Sequence, residues 1–359
     1  MAMRRLSHIA AESVARAPRS ATSRAAGTAR RTAAAARETV GGAIDRCARA
    51  LHRARVHFGH GTDNGRDEAA ELVFFAAGLE HELGANAYAK PLTARRIARI
   101  DGLLGRRIAE RLPLPYLTHR SFFAGLELYV DERVLVPRSP IAELIMQRFQ
   151  PWVAARRVRR ILDVGTGSGA IALACATAFP KAAVDAVEVS ARALEVARRN
   201  LRRLGLQQRV RMLQSNYFDA VEGCRYDIIV SNPPYVGLAE LRRLPREYGH
   251  EPRLGLAAGA DGLDSVRAIF AAARRHLSRD GLLVVEVGNT EDALQHAFPS
   301  LPFVWPEIAM GGGGVFLLRA RDLEAGRTDA GRTDAGSVAH RGRRTVRGRR
   351  SVAGRRAAR

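Results

Sequence analysis

Residues 226–235 read YDIIVSNPPY, and they lie at the centre of the pattern that decides the fold. The first five, an aromatic residue, an acid and three β-branched residues, have the pattern of a buried parallel strand. The prolines that follow Asn232 can neither donate to a sheet ladder nor continue into a helix. Because open α/β sheets bind ligands where strands end, the stretch predicts a pocket of an amide, proline carbonyls and the Tyr235 ring. An ordinary proline-rich turn fits the same ten residues equally well.

Strands and helices alternate on both sides of this stretch, from residue 160 to about 318. The predicted strands are 160–164, 183–187, 210–214, 226–230, 281–287, 303–307 and 315–319. Helices are predicted at 170–179, 191–204 and 265–276. This alternation predicts a doubly wound, mostly parallel α/β sheet. The glycines at 311–314 predict that the last two strands form an antiparallel hairpin.

The preceding part of the chain has a different character. Residues 43–112 repeat apolar side chains at helical spacing and predict a small helical domain. Residues 113–138 alternate around Gly125 and predict a β-hairpin linker. A helix is predicted to begin at Ser139-Pro140 and to open a domain over residues 139–325. We interpret the histidine-containing stretch 57–65 as an interhelical loop rather than a ligand cluster.

The net charge of +22 is concentrated at the two ends of the chain. Residues 1–42 carry +6 and residues 326–359 carry +9, which leaves +7 between them. Both ends hold too few large apolar side chains to order a backbone, so we expect disordered extensions. Their arginines could contact RNA non-specifically. We expect a cytoplasmic protein, with a mitochondrial transit peptide at residues 1–42 as the alternative.

Metal and membrane chemistry have no signal in the sequence. The three cysteines, Cys47, Cys175 and Cys224, lie far apart and lack the spacing of a metal site, which predicts reduced thiols and no bound metal. No apolar run reaches the length that spans a bilayer. The sequence does not indicate an oligomeric state.

A glycine-rich turn follows the first predicted strand, as Asp163-Val164-Gly165-Thr166-Gly167-Ser168-Gly169. Glycines let a ligand approach the backbone closely, and the helix that follows exposes unpaired N–H groups. The GxGxG spacing departs from the GxGxxG of dinucleotide-binding folds. Glu188 ends the second strand, where a carboxylate can accept both ribose hydroxyls. Asn216 follows the third strand, where an adenine amino group would be read.

Together these motifs resemble the class I (Rossmann-like) methyltransferases, which use S-adenosylmethionine and have a seven-stranded, mostly parallel sheet. The NPPY form resembles enzymes that methylate a planar, conjugated nitrogen. The resemblance implies that the cofactor is bound by Asp163, Gly165, Thr166, Gly167, Ser168, Gly169, Glu188, Asn216 and Asn232. It implies that the Asn232 side-chain oxygen and the Pro233 carbonyl orient the target nitrogen and stabilise its developing charge. Tyr235 would stack on the planar group.

A longer match covers residues 43 to 322, which are similar to the glutamine N(5)-methyltransferases of the translation apparatus. Matching stretches are GHGTDNGRDEA at 59–69, PYLTHRSFFAGLELYVDERVLVPRSPIAELI at 115–145, SNPPYV at 231–236 and EYGHEPRLGLAAGADGL at 247–263. The release-factor branch typically has an RP(D/E)TE-like segment after the hairpin, whereas VDERVLVPRSPIAELI resembles the branch that modifies ribosomal protein L-three. This implies methyl transfer to a glutamine amide of L-three, bound by Asn232, Pro233, Pro234 and Tyr235.

Three other functions stay open at this point. They are a release-factor glutamine methyltransferase, an RNA or DNA amino-methyltransferase, which the positive charge favours, and a non-catalytic RNA-binding assembly factor. The resemblance also suggests that Phe123 and Arg138 shape the cofactor lid or substrate entrance. It suggests that His250-Glu251-Pro252 lie in a loop over the site, although a structural turn fits them as well.

Two positions depart from the family pattern. Asn216 stands where the family usually has an aspartate, and its amide oxygen can accept the same hydrogen bond without the charge. The turn at 309–314 replaces a more polar, acidic version, which puts its contribution to the site in doubt.

Overall fold

The computed structural model describes residues 38–79, 85–309 and 311–323. Residues 1–37 and 326–359 lie outside the described residues. The disordered extensions, their contact with RNA and the transit-peptide alternative therefore stay predictions, as does the division into domains. Within the described ranges, no helix is long and apolar enough to cross a membrane.

The described chain begins with three helices, in the region where the sequence predicts them. They are α1 (Val40–Arg53), α2 (Gly65–Ala77) and α3 (Ala94–Glu110). Each begins after a residue whose side chain accepts an N–H of the first turn, namely Thr39, Asn64 and Thr93. Their apolar faces bury one common core.

A short helix and a hairpin connect these helices to the main sheet. The helix is α4 (Leu114–Thr118), and the hairpin pairs β1 (Ser121–Phe123) with β2 (Leu126–Leu128). Ala124 and Gly125 form the turn with φ of 47° and 80°, the left-handed geometry that two-residue hairpins favour. Next comes α5 (Ile141–Met146). The Ser139 hydroxyl accepts the Ile141 N–H at 3.2 Å, at the predicted helix start.

Six strands form the main sheet in the order β5-β4-β3-β6-β7-β8. They are β3 (Arg160–Val164), β4 (Ala183–Glu188), β5 (Val210–Gln214), β6 (Tyr226–Ser231), β7 (Leu277–Glu286) and β8 (Val315–Arg319). All neighbouring pairs are parallel except β7 and β8. The later helices are α6 (Ala170–Ala178), α7 (Ala191–Arg203), α8 (Leu238–Leu241), α9 (Asp264–His276) and α10 (Glu291–Ala297). The predicted doubly wound α/β class is confirmed.

The predicted strand at 303–307 is wrong, so the sheet has six strands among the described residues where seven were expected. In this segment only Val304 pairs, through an isolated antiparallel bridge to Leu317. Pro302 and Pro306 lie on either side and have no N–H to donate to a ladder. The predicted hairpin with 315–319 is therefore reduced to this bridge, and β8 pairs along its length with β7 instead.

The strand order reverses between β3 and β6, because β3 pairs with β4 on one side and with β6 on the other. Doubly wound sheets bind ligands in the crevice that opens at such a reversal, at the carboxyl ends of the strands. The glycine turn follows β3 and the Asn-Pro-Pro-Tyr segment follows β6. The fold therefore brings the two predicted motifs to the same crevice.

Candidate active site

A cavity of about 490 Å³ opens at this crevice. It is lined by ten of the predicted site residues: Gly165, Thr166, Gly167, Ser168, Glu188, Asn216, Asn232, Pro233, Pro234 and Tyr235. Phe123, Arg138 and Pro252 line it as well. Asp163 and Gly169 are not part of the lining. Asp163 is fully buried, and Gly169 is the cap before α6, where a Cβ would come within 3.2 Å of the Leu173 and Met212 side chains.

The glycine turn leaves an open cradle at one end of the cavity. Gly165 and Gly167 have φ of 76° and 54°, a conformation that residues with a Cβ rarely adopt. A Cβ on either glycine would meet no atom within 4 Å, so it would project into free space at the cavity wall. The Glu188 carboxylate accepts the N–H of Gly167 at 3.0 Å and of Ser190 at 2.9 Å. These bonds fix the acid against the turn.

Asp163 lies buried beside this turn. Its Oδ2 accepts the Thr166 hydroxyl at 2.6 Å and the Ala172 N–H at 3.1 Å. Its Oδ1 has no hydrogen-bond partner among the described residues. Burial raises the pKa of Asp163 to about 7, although the bonds from Thr166 and Ala172 oppose the rise. Buried polar atoms are seldom left unpaired, so this oxygen fits a nearby donor or cationic group of a ligand.

The part of the cavity beside Glu188 suits a nucleoside. Glu188 stands at the end of β4, and Asn216 lines the cavity after β5. Val189 also lines the wall and is 46% exposed, so it offers an apolar surface to a flat ring. Val189 was not predicted from the sequence, although its position directly after Glu188 was a usable signal.

Hydrogen bonds on both sides hold the Asn-Pro-Pro-Tyr segment in place. The Ser231 hydroxyl donates to the Val164 carbonyl at 2.7 Å, which ties β6 to β3. Val236 exchanges backbone hydrogen bonds with Leu256 at 2.9 Å and Ala258 at 3.0 Å. Among the described residues, neither the Asn232 carboxamide nor the Pro233 carbonyl forms a hydrogen bond. Two acceptors are thus held in the cavity lining with their lone pairs available to a ligand.

Tyr235 is held by a hydrogen bond to Glu286 and by packing of its ring against Gly288. Its hydroxyl donates to Glu286 Oε1 at 3.0 Å, and Ser139 donates to Glu286 Oε2 at 2.5 Å. A Cβ on Gly288 would lie 2.5 Å from the Tyr235 ring, so only glycine allows the ring to pack there. Sequence reasoning missed Glu286. Its position as an acid that ends the apolar run 282–285, in the strand beside β6, could have identified it.

Glu286 predicts a measurable pH effect. Burial raises its pKa from 4.5 to about 7, against the hydrogen bonds from Ser139 and Tyr235. Between these pH values the folded protein keeps a proton that the unfolded chain releases, so stability should fall as pH rises. We expect Glu286→Gln to remove this loss. As the pH rises, the unfolding free energy of the variant should therefore increase relative to that of the native protein, by a total of at most about 3 kcal/mol above pH 7.

Urea unfolding of both proteins at several pH values from 4 to 8 measures this difference. Asp163 titrates in the same direction, but it is present in both proteins and cancels. A difference in unfolding free energy that stays constant across the range would contradict the role given to Glu286.

An ion pair with a buried carboxylate fixes another part of the cavity wall. Both oxygens of Glu251 accept from the Arg138 guanidinium at 2.6 Å, and Oε1 also accepts the Val136 N–H at 3.0 Å. Burial opposes ionisation of Glu251, but the Arg138 bonds outweigh it and lower the pKa to about 2. Val136 and Arg138 line the cavity, so Glu251 positions the wall without reaching the cavity itself.

The loop between α1 and α2 also contacts this wall. The His60 ring is buried, and its centroid lies 4.6 Å from that of Tyr248, a cavity residue. His60 Nε2 is 3.6 Å from Glu251 Oε2, which is too long for a hydrogen bond. His250 Nε2 lies 2.9 Å from the Glu110 carbonyl at the end of α3. The predicted interhelical loop is thus also a support for the site.

An open glycine cradle, an unpaired buried carboxylate oxygen and an acid after the second strand fit S-adenosylmethionine, which has an ammonium, a sulfonium and a ribose. With the Asn-Pro-Pro-Tyr segment at the reversal of the sheet, they define a class I S-adenosylmethionine-dependent methyltransferase. The chain is 48% identical over 275 residues to the ribosomal protein uL3 glutamine methyltransferase of Bordetella pertussis, covering 76% of this chain and 92% of that protein. It belongs to the family of ribosomal protein uL3 glutamine methyltransferases.

The chain is similar to other methyltransferases as well. The uL3 glutamine methyltransferase of Francisella tularensis is 42% identical over 269 residues, covering 75% of this chain and 86% of that protein. Residues 142–243 match the family model described as methyltransferase small domain. A solved structure of a methyltransferase from Pyrococcus furiosus is 23% identical, with a TM-score of 0.39, over 64% of this chain and 99% of that one.

Proposed function

We propose that this chain transfers a methyl group from S-adenosylmethionine to the side-chain amide nitrogen of a glutamine in ribosomal protein uL3, the L-three of the sequence resemblance. The observation that carries the proposal is the pair of unbonded acceptors at Asn232 and Pro233, held in the same cavity as the glycine cradle. Relatives at 48% and 42% identity bear the name uL3 glutamine methyltransferase. This favours uL3 over a release factor or a nucleic-acid base as the acceptor.

The acceptor residues match the chemistry of an amide nitrogen. The lone pair of that nitrogen is delocalised into the carbonyl group, so the nitrogen is a poor nucleophile. The Asn232 side-chain oxygen and the Pro233 carbonyl can each accept one of its two N–H bonds, which directs the lone pair toward the cradle. The same acceptors stabilise positive charge as it develops on the nitrogen. Tyr235, held by Glu286, offers its ring to the planar amide.

The cofactor would be held by the residues of the cradle and the β4 end. The backbone at Gly165 and Gly167 would hold the amino-acid part, Asp163 would support that turn through its hydrogen bond from Thr166, and Glu188 would accept the ribose hydroxyls. Bound S-adenosylmethionine supplies an electrophilic methyl group. Arg138 and Phe123, on the cavity wall, would exclude water around it.

A transfer assay tests the proposal. The purified chain is incubated with cofactor labelled on its methyl group and with either uL3 or a peptide release factor. We expect label in one glutamine of uL3, located by peptide mass spectrometry, and no loss of label after nuclease treatment. Label in the release factor alone, or label that nuclease removes, would overturn the proposal.

A further inference from the structure

A second groove, of about 410 Å³, lies beside the active-site cavity. Its lining consists of Leu238, Leu241, Arg242, Leu244, Pro245, Arg246, Tyr248, Gly249, Arg253 and Leu256. Leu244, Tyr248 and Leu256 line both spaces. The two spaces therefore adjoin along these three residues, and a macromolecule that inserts a side chain into the cavity can also reach the groove.

The rim of this groove is positively charged. Arg242, Arg246 and Arg253 are exposed, and none forms an ion pair with a carboxylate in the described part of the chain. The exposed Glu240 lines the active-site cavity and not the groove, and the nearby acids Glu247 and Glu251 do not neutralise the three arginines. Both are buried, and they face the guanidinium groups of other arginines. Three solvent-exposed arginine side chains thus border the groove, while the buried carboxylates of Glu247 and Glu251 are paired with other arginines.

We propose that this groove binds the phosphate backbone of RNA that is associated with the substrate protein. The inference rests on the proposed function, because it takes the substrate to be a protein of the ribosome. Proteins that bind RNA do so through clustered lysine and arginine side chains. The three arginines of the rim form no ion pair with a carboxylate of the described residues, and an RNA backbone would supply the missing negative charge.

The floor of the groove suits a nucleotide as well. It is formed by leucine side chains and Pro245, and Leu238 at its edge is 47% exposed. An apolar surface bordered by arginines lets a base or ribose pack while its phosphates remain in contact with guanidinium groups. The groove is thus built for a charged backbone with flat apolar parts rather than for a simple anion.

The binding test compares three forms of the full chain. The native protein, a triple variant Arg242→Ala, Arg246→Ala, Arg253→Ala, and a control Arg95→Ala, Arg96→Ala, Arg156→Ala are titrated with a short fluorescein-labelled single-stranded RNA. The control arginines are exposed, have the same total charge and line neither cavity. All three proteins keep the basic terminal segments, so background binding is the same.

We expect the triple variant to bind this RNA about tenfold more weakly than the control variant, and its salt dependence to be shallower. The slope of log affinity against log salt should fall by about 2, because roughly 0.7 counterions are released per phosphate contact in a single strand. Equal losses in the triple and control variants would overturn the inference.

A kinetic test uses uL3 alone and uL3 bound to large-subunit ribosomal RNA as substrates. We expect the triple variant to raise KM for the RNA-bound form by about tenfold, and to raise it less for uL3 alone. If the triple variant raised KM only for uL3 alone and also lost affinity for polyglutamate, the ligand of the groove would be an acidic protein segment and not RNA. If the native chain methylated neither form, the proposed function would fail, while RNA titration would still decide the inference.

Discussion

Replacement of Asn232 by alanine is expected to lower kcat by about 10² to 10³ without a matching loss of cofactor affinity. The carboxamide lines the cavity after β6 and forms no hydrogen bond to the other described residues, so its removal breaks no hydrogen bond of the fold. What is lost is a positioned acceptor for the target nitrogen. Loss of one such group in other enzymes slows the chemical step by this factor. Methyl-transfer kinetics on uL3 and calorimetric titration of S-adenosylmethionine measure the two quantities.

Two other variants separate this role from general damage to the site. Asn289→Ala removes the same carboxamide from another position on the cavity lining and should change kcat little. Glu188→Ala should show the reverse pattern, a large loss of cofactor affinity, because its carboxylate is fixed against the cradle. If Asn232→Ala kept full kcat, or if it lost activity only through cofactor affinity, the acceptor role would be wrong.

The parts of the site that sequence could predict are those that a single stretch of chain builds. The glycine turn and the Asn-Pro-Pro-Tyr segment each follow a strand directly, and parallel strands bring their carboxyl ends to one edge. Glycine and proline determine the backbone conformations available at their own positions, whatever the rest of the fold is. The incorrect strand prediction at 303–307 also rests on local sequence alone. The apolar residues of this segment favour a strand, but Pro302 and Pro306 lack the backbone N–H that a sheet ladder requires.

The supports of the site could not be predicted in the same way, since each depends on residues far apart in the chain. Glu286 meets Ser139 across 147 positions, and Glu251 meets Arg138 across 113. The spacing of apolar and polar residues along a short segment contains no information about such long-range pairs. An isolated charged residue inside an amphipathic helix also looks like part of a solvated face, although Arg107 in α3 is fully buried.

Arg107 joins three elements of the fold. Its Nε donates to Glu68 of α2 at 2.7 Å, and one terminal nitrogen donates to the His57 carbonyl at 2.8 Å. Its other terminal nitrogen lies 3.6 Å from Glu247, in the short 3-10 turn Arg246–His250 at the groove. Glu68 and Glu247 are both buried. Burial opposes ionisation of Glu247, but the His57 N–H and the charges of Arg107 and Arg111 outweigh it and lower its pKa.

Arg107→Met is therefore expected to reduce the free energy of unfolding by about 3 to 5 kcal/mol, the cost of removing one partner from a buried ion pair. The methionine fills much of the space, but among the described residues the Glu68 carboxylate keeps only the weak contact of the Thr62 hydroxyl at 3.4 Å. Urea unfolding at pH 7 measures the loss.

The neighbouring Arg106→Met removes an exposed pair with Glu110 and should leave the midpoint nearly unchanged. Adding Glu68→Gln to Arg107→Met should recover part of the stability, because no unpaired charge then remains at Glu68. An equal, small effect of the two arginine replacements would mean that the Arg107 pair is not what holds α2, α3 and the groove turn together.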